Sequence, residues 1–281
     1  MSGDNERSYF RRIGYEKSDI MKTIIKYLVI LFIISAPVSG QENFKVIKVN
    51  GTILLKARGI SLETGTVFSE KEDLLFRSDD ATAAVINSQQ GRLVLTSKNH
   101  DLSSARSNQM PSMYNIGSRG VALHNEFDLG DYFSGKHVVL EKEAVEVDAM
   151  KYPMDENNFF FLRYNYKGEE INKKLSFSGD TLFIDKSTLF TVDGMPIPSA
   201  DNTSIKLFYR RGAESIIISE FDLIFPDMKQ LTKEIEIIIT EMSGKPVNQK
   251  ISEVDSYMTD FYGKVTRDNL TRWLEINFGI K

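Results

Sequence analysis

The spacing of apolar residues in the second half of the chain changes near Asp227. Before it, short apolar runs alternate at near period two and are separated by Gly, Asn and Asp, which is typical of β-strands joined by tight turns. After it, apolar residues recur about every 3.6 positions, as in amphipathic helices. The sequence therefore predicts a mainly β protein, with two small β-rich modules of roll or sandwich type followed by a short C-terminal helical segment.

The first module is predicted over residues 41–98. An apolar run at residues 46–49 leads to Asn50-Gly51, a dipeptide that favours tight turns, and a second apolar run follows at residues 52–55. These two runs predict a hairpin. Further short runs, separated by Gly-rich turns, continue to about residue 96 and complete the module.

The stretch "VNGTILLKARGISLETGTVFSEKEDLLFRSDDATAAVINSQQGRLVLTSKN" resembles the periplasmic FecR-type β-domain over about residues 49–98. The family pattern is a glycine-led hairpin, two turns into apolar strands, and a glycine-led leucine alternation. The matching positions are Gly51, Leu62, Gly65, Leu74, Leu75, Ser78, Ala83 and Gly91. Thr66 stands where the family usually has an acidic residue. The resemblance implies an exported β-module.

The most apolar segment, "MKTIIKYLVILFIISAPVSGQ" at residues 21–41, fits a secretory signal. Its apolar run at residues 24–34 would reach about 16 Å as a helix, too short for a ~30 Å hydrocarbon core. Lys22 and Lys26 supply the positive start, and Pro37 precedes small residues. We expect residues 1–40 to be leader and signal peptide, with translation starting at Met21 and cleavage after Gly40. The alternative is an uncleaved membrane anchor.

Composition excludes several kinds of chemistry and limits the class of partner. The formal net charge of −4 gives no electrostatic reason to expect nucleic acid as a partner. The absence of cysteine excludes disulfides, thiolate metal ligands, a cysteine nucleophile and the lipidated cysteine of a bacterial lipoprotein. Together, the signal segment and the resemblance to the FecR-type domain imply a location in the periplasm or cell envelope of a Gram-negative bacterium.

Residues 99–119 are rich in Ser and Asn and lack either hydrophobic period, so they predict a linker. A second β-rich domain is predicted over residues 120–225. Its "NFFFLRYNY" strand is heavily aromatic, and "SFSGDTLFID" and "FTVDGMPIP" contain hairpin turns. The predicted strands are 137–141, 143–148, 158–166, 170–177, 181–185, 188–192, 205–210 and 215–224.

Three C-terminal helices are predicted within residues 226–281 and are expected to pack on the second β-rich domain. Asp227 can cap the first helix and Gly244 can end it. Gly263 can end the second helix, and Thr266 precedes the third. The apolar stripes are Leu231, Ile235, Ile238, Ile239 and Met242 in the first, Ile251, Val254, Met258 and Phe261 in the second, and Leu270, Trp273 and Leu274 in the third.

No motif identifies a reaction. The stretch "HNEFDLGDYFSGKH" holds His124, Asp131 and His137, whose imidazoles and carboxylate could bind zinc or act as acid and base. The sequence contains no HExxH, GxSxG or GxGxxG motif. "GDYFSGKH" approaches a phosphate-binding loop, but His137 occupies the position of the magnesium-binding Ser or Thr.

The leading functional hypothesis is an exported, non-catalytic binding or assembly module that recognises an envelope protein or glycan without a cofactor. Two alternatives are a periplasmic hydrolase or metal-dependent enzyme centred on His124, Asp131 and His137, and a membrane-anchored signalling regulator that uses the FecR-like region. The candidate partner-binding residues are Phe159, Phe160, Tyr164, Tyr166 and Trp273.

Overall fold

A computed structural model describes residues 43–99, 126–192, 194–197 and 204–281. The predicted signal segment, residues 100–119 of the predicted linker and His124 lie outside the described residues. The described residues belong to one compact unit, Asn43–Lys281. The protein is mainly β, with several sheets and a C-terminal helical segment, as the sequence predicts.

The first β-block contains seven antiparallel strands in two sheets. Its strands are β1 (Asn43–Asn50), β2 (Ile53–Leu55), β3 (Ile60–Ser61), β4 (Val67–Ser69), β5 (Leu74–Phe76), β6 (Thr82–Asn87) and β7 (Gly91–Thr96). One sheet has the order β4-β1-β6-β7 and the other the order β3-β2-β5. A common apolar core that includes Phe44, Ile53 and Leu95 joins them.

The predicted hairpin between residues 46–49 and 52–55 is wrong. Strand β1 pairs with β4 and β6, whereas β2 pairs with β3 and β5. Gly51 has φ of 77°, and a Cβ at this position would lie 3.0 Å from the Cβ of Ala81. Asn50-Gly51 therefore takes the chain from one sheet to the other, and the backbone carbonyl of Thr52 accepts a hydrogen bond from Arg77 N.

The second β-block contains a six-stranded sheet of order β11-β10-β16-β17-β8-β18, a three-stranded sheet of order β12-β13-β9 and a two-stranded ribbon of β14 and β15. The strands are β8 (Lys136–Val138), β9 (Lys142–Glu146), β10 (Asn158–Tyr166), β11 (Glu169–Lys174), β12 (Ser176–Ser178), β13 (Thr181–Asp185), β14 (Thr191–Val192), β15 (Met195–Pro196), β16 (Ser204–Arg211), β17 (Glu214–Ile224) and β18 (Lys264–Val265). Strands β12 and β13 pair antiparallel, as do β14 and β15, which confirms the two predicted hairpins.

The helices are α1 (Glu126–Tyr132), α2 (Lys186–Leu189), α3 (Met228–Glu241), α4 (Val247–Phe261) and α5 (Arg267–Phe278). The carboxylate of Asp227 accepts a hydrogen bond from Gln230 N, which confirms the predicted cap of α3. Helix α3 ends before Gly244. The predicted strand at 188–192 is wrong at its start, because Asp185 caps the short helix α2 there.

Gly263 follows the end of α4, and the neighbouring backbone leaves no room for a side chain at this position. Its φ is 134°, and a Cβ would lie 2.5 Å from the backbone oxygen of Lys136. Only a residue without a side chain permits β18 to approach β8 this closely. The predicted end of the second helix is confirmed at this glycine.

The C-terminal helices contact both β-blocks. Their apolar faces share a core with Ile47 and Ile86 of the first block and with Val138 and Leu140 of the second. We expected the helices to pack on the second block. In the structure they pack on the first block as well. Within the described ranges, no helix combines the length and apolar character needed to cross a bilayer.

Candidate functional site

The outer face of the six-stranded sheet carries alternate residues of β10 and β16. Phe160, Leu162 and Tyr164 of β10 point into the core of the second block. Their neighbours Phe159, Phe161 and Arg163 point to the opposite face, because successive side chains of a strand alternate. This opposite face is called the outer face below.

Strand pairing arranges the outer face in cross-strand rows. Rows form because residues directly opposite each other on paired strands project to the same face. The first row holds Phe159 and Arg210. The second holds Lys174, Phe161, Phe208 and Ile217, from β11 to β17. The third holds Asn172, Arg163, Lys206 and Glu220 in the same order of strands.

The rings of the outer face alternate with cations. Phe161 and Phe208 stack with ring centroids 5.0 Å apart and an angle of 7° between their planes. The guanidinium carbon of Arg163 lies 4.5 Å from the centre of the Phe208 ring. Lys174 Nζ lies 4.2 Å from the centre of the Phe159 ring. Each such cation–π contact contributes about 0.5–1 kcal/mol at an exposed site, so the face is ordered by its own side chains.

A pocket of about 430 Å³ opens on this face, within the size range of small-ligand sites. Its lining includes Arg163, Asn165, Lys206, Phe208, Ile217 and Glu220. Ile217 has 52% of its surface exposed, which is high for a large aliphatic residue in a strand. The pocket therefore combines apolar surface with charged side chains of both signs.

Carboxylates flank the two cations of the pocket. Arg163 Nε donates to Asn172 Oδ1 at 2.8 Å and lies 3.2 Å from an oxygen of Glu170. Lys206 Nζ lies 3.7 Å from an oxygen of Glu220. Both carboxylates are more than half exposed, and exposed ion pairs contribute only about 0–1 kcal/mol.

The structure separates the five predicted partner-binding residues into two groups. Phe160, Tyr164 and Trp273 are buried, with exposed fractions of 0%, 2% and 4%, so a partner cannot contact them in this conformation. Phe159 and Tyr166 are half-buried. The consecutive phenylalanines of "NFFFLRYNY" alternate between core and outer face. Phe161 is on the outer face but is only 7% exposed, because the Phe208 ring stacks on it. The accessible aromatic residues of this strand are therefore Phe159 and Tyr166.

Sequence reasoning missed the contribution of β16 and β17 to this face. The signal was present in "SIKLFYRR", where Ile205, Leu207 and Tyr209 are buried and the residues between them are not. Period-two alternation could have assigned Lys206 and Phe208 to one face. It could not have shown that they lie beside Arg163 and Phe161.

The proposed catalytic histidine His137 lies in a closed cluster. Its Nε2 is 2.7 Å from Glu143 Oε2, and both side chains are at most 1% exposed. The hydroxyls of Tyr132 and Thr266 each donate to Glu143 Oε1 at 2.7 Å. His137 Nδ1 has no hydrogen-bond partner among the described residues.

The hydrolase hypothesis required His124, Asp131 and His137 to meet. Asp131 is exposed on α1, and its backbone oxygen accepts a hydrogen bond from Lys264. His137 is buried among rings that include Phe133 and Phe221, so a substrate cannot reach its imidazole in this conformation. The residues that the structure describes contain no group of three or more His, Cys, Asp or Glu placed to hold a metal ion.

A second buried carboxylate, Glu234 of α3, joins the helices to the first β-block. Its oxygens accept hydrogen bonds from Tyr257 at 2.7 Å, Tyr262 at 2.6 Å and Lys48 of β1 at 3.3 Å. Burial and the neighbouring carboxylate raise the pKa of Tyr257 and Tyr262 far above the usual tyrosine range. The cluster is closed to ligands and serves as a structural contact.

Comparison with known proteins found no matching family model, no curated protein and no solved structure similar to this chain. The resemblance of residues 49–98 to the FecR-type β-domain therefore stays a prediction. Among the described residues, the outer face combines accessible apolar surface with charged groups of both signs.

Proposed function

We propose that the mature chain is an exported, non-catalytic binding module of the cell envelope, and that it recognises a protein partner through the outer face. The observation that carries this proposal is the arrangement of Arg163, Phe208 and Ile217 on the outer face, where the Phe208 ring stacks on the buried ring of Phe161. Aromatic residues and arginine are enriched where proteins bind each other, and they contribute most of the binding energy.

A protein fits this face better than a glycan does. The faces of the Phe161 and Phe208 rings contact each other, and the Arg163 guanidinium covers Phe208. A sugar ring would need a free aromatic face on which to stack. The exposed side chain of Ile217 beside this array offers an apolar contact suited to another side chain.

The proposal that the chain is exported depends on its amino-terminal segment. Its positive start, short apolar run and small residues before Gln41 fit a signal that is removed. Expression in a Gram-negative host, followed by fractionation and intact mass, tests this directly. A soluble periplasmic species that begins at Gln41 is expected. A membrane-bound species that retains residues 21–40 would favour the anchored regulator.

Site-specific photocrosslinking tests the binding face. A photoreactive residue in place of Ile217 is expected to give a defined protein adduct in the envelope of the native host. Ile276 provides a matched control, because it is an exposed isoleucine on α5, with 75% of its surface exposed. Equal adducts at both positions, or none at position 217, would contradict the proposal. An adduct that a glycosidase removes would indicate a glycan instead.

A further inference from the structure

Two positive side chains face each other at the centre of the outer face. Arg163 of β10 and Lys206 of β16 are directly opposed in the strand register. Like charges in this position destabilise a sheet. An anion bound between them would remove that repulsion.

Two contacts hold the Arg163 guanidinium in one orientation and leave its two terminal nitrogens available to a ligand. It packs 4.5 Å above Phe208, and its Nε donates to Asn172. Within the described part of the chain, neither Nη1 nor Nη2 of Arg163 donates a hydrogen bond. These two nitrogens form the planar fork that binds a carboxylate with two parallel hydrogen bonds.

The acidic residues of the pocket do not separate the two cations. Glu170 lies on β11, beyond Arg163, and Glu220 lies on β17, beyond Lys206. The sheet order thus places the two cations side by side, with one carboxylate on each outer flank. Lys206 Nζ is 3.7 Å from Glu220, too far for a hydrogen bond, so its ammonium can turn toward a ligand.

We propose that Arg163 and Lys206 bind a carboxylate of the partner protein, and that the exposed Ile217, which is paired with Phe208, contacts an apolar side chain next to it. This inference rests on the proposed function and names the chemistry that the partner presents. The apolar residues lie in the adjacent row of the face, one on the same strand as Lys206 and one on the neighbouring strand. The ligand is therefore an acidic peptide segment in which a carboxylate adjoins a hydrophobic side chain.

Titration of the full mature chain with small probes, followed by amide NMR shifts, tests the subsite. N-acetyl-L-leucine carries a carboxylate beside an apolar side chain, and N-acetyl-L-leucinamide is its uncharged match. We expect a Kd of about 1–10 mM for the acid, corresponding to roughly −3 to −4 kcal/mol, with shifts at residues 163, 206, 208 and 217. The amide is expected to bind about tenfold more weakly, because it lacks the charge-assisted bonds.

Matched variants assign the binding to the two cations. Arg163→Gln is expected to weaken binding of the acid about tenfold, and Lys206→Gln to weaken it severalfold. Arg210→Gln removes a cation from the same face outside the pocket lining, and it is expected to leave the Kd unchanged. The amide spectrum of each variant reports whether the fold is retained.

Three results of these titrations would overturn the proposed carboxylate subsite. Equal binding of acid and amide, no binding of the acid at about 50 mM, or equal losses in Arg163→Gln and Arg210→Gln would overturn the carboxylate subsite. N-acetyl-L-aspartic acid amide carries only a side-chain carboxylate, so its comparison with N-acetyl-L-leucine distinguishes an acidic side chain from a chain terminus as the source. Binding of the probe without crosslinking at position 217 would retain the subsite and reject the proposed partner face.

Discussion

At the scale of single residues, Glu143 connects several otherwise separate elements. It interacts with His137 of β8, the Tyr132 hydroxyl of α1 and the Thr266 hydroxyl before α5. The loss of one buried acceptor leaves several donors without a partner, and each unsatisfied donor costs about 1–3 kcal/mol. The cluster thus acts as a structural junction between α1, β8, β9 and α5.

We expect Glu143→Ala to lower the free energy of unfolding by about 3–5 kcal/mol, because it opens a buried hydrogen-bond cluster. Asp131→Ala, at an exposed position nearby in sequence, is expected to change it by less than about 0.5 kcal/mol. Urea unfolding followed by circular dichroism measures both. A small effect of Glu143→Ala would contradict the structural role of the cluster.

The sequence could predict which face some residues of the candidate site occupy, but it could not predict their contacts. The alternation of β16 assigns Lys206 and Phe208 to one face without a structure. Their contact with Arg163 depends on the pairing of strands that are more than forty residues apart in sequence. His137 was identified as a titratable residue, but its partner Glu143 lies in a different sheet, and no local pattern indicates that pairing.

At the scale of elements, local signals located the ends of helices better than the partners of strands. The cap at Asp227 and the break at Gly263 act within a few residues of themselves, so sequence alone reveals them. Asn50-Gly51 was equally recognisable as a turn, but the hairpin it predicted does not form. Close packing against Ala81 and pairing with distant strands direct the chain at this turn from one sheet into the other.

Helix α4 carries a partly buried carboxylate that opposes folding at neutral pH. Burial raises the pKa of Asp255, and the positive charge of Arg267 only partly offsets this. Because the pKa is higher in the folded state than in the unfolded state, the contribution of Asp255 to stability is complete below the unfolded pKa of about 3.9 and is lost as the pH rises through the folded pKa.

Asp255→Asn is therefore expected to raise the free energy of unfolding at pH 7 by up to about 1 kcal/mol, since it removes the cost of burying the charge. The gain is expected to shrink toward pH 4, where the wild-type carboxyl takes up its proton. Parallel urea titrations of both proteins at pH 7, 5 and 4 measure this. A gain that does not depend on pH would argue against desolvation as its cause.

At the scale of the whole molecule, the helical segment links the two β-blocks through polar contacts as well as the shared core. Arg92 of β7 bonds to Glu253 at 2.5 Å and to Asp260 at 2.7 Å, both on α4. Lys48 of β1 reaches Glu234 on α3. Gln230 of α3 adds a third contact, because its Nε2 donates a hydrogen bond to the hydroxyl of Thr64 in the first block at 3.0 Å.

The Glu234 cluster predicts the response of the whole molecule to alkali. The raised pKa of Tyr257 means that its stabilising contribution is present below the unfolded value of about 10 and is lost as the pH rises above it. We expect Tyr257→Phe to cost about 1–2 kcal/mol at pH 7 and to reduce the fall in stability between pH 9 and 11. Thermal unfolding across this range measures both effects, and parallel pH profiles of the two proteins would contradict the prediction.

The position of the helices in the chain has a consequence for biosynthesis. Residues 226–281 follow both β-blocks in the chain, but they cover apolar side chains of the first β-block, including Ile47 and Ile86. Until those helices have folded, these apolar side chains are exposed on strands that lie much earlier in the chain. The first block therefore completes its packing only after the helices are available, and chaperones that shield apolar surface would act during that interval.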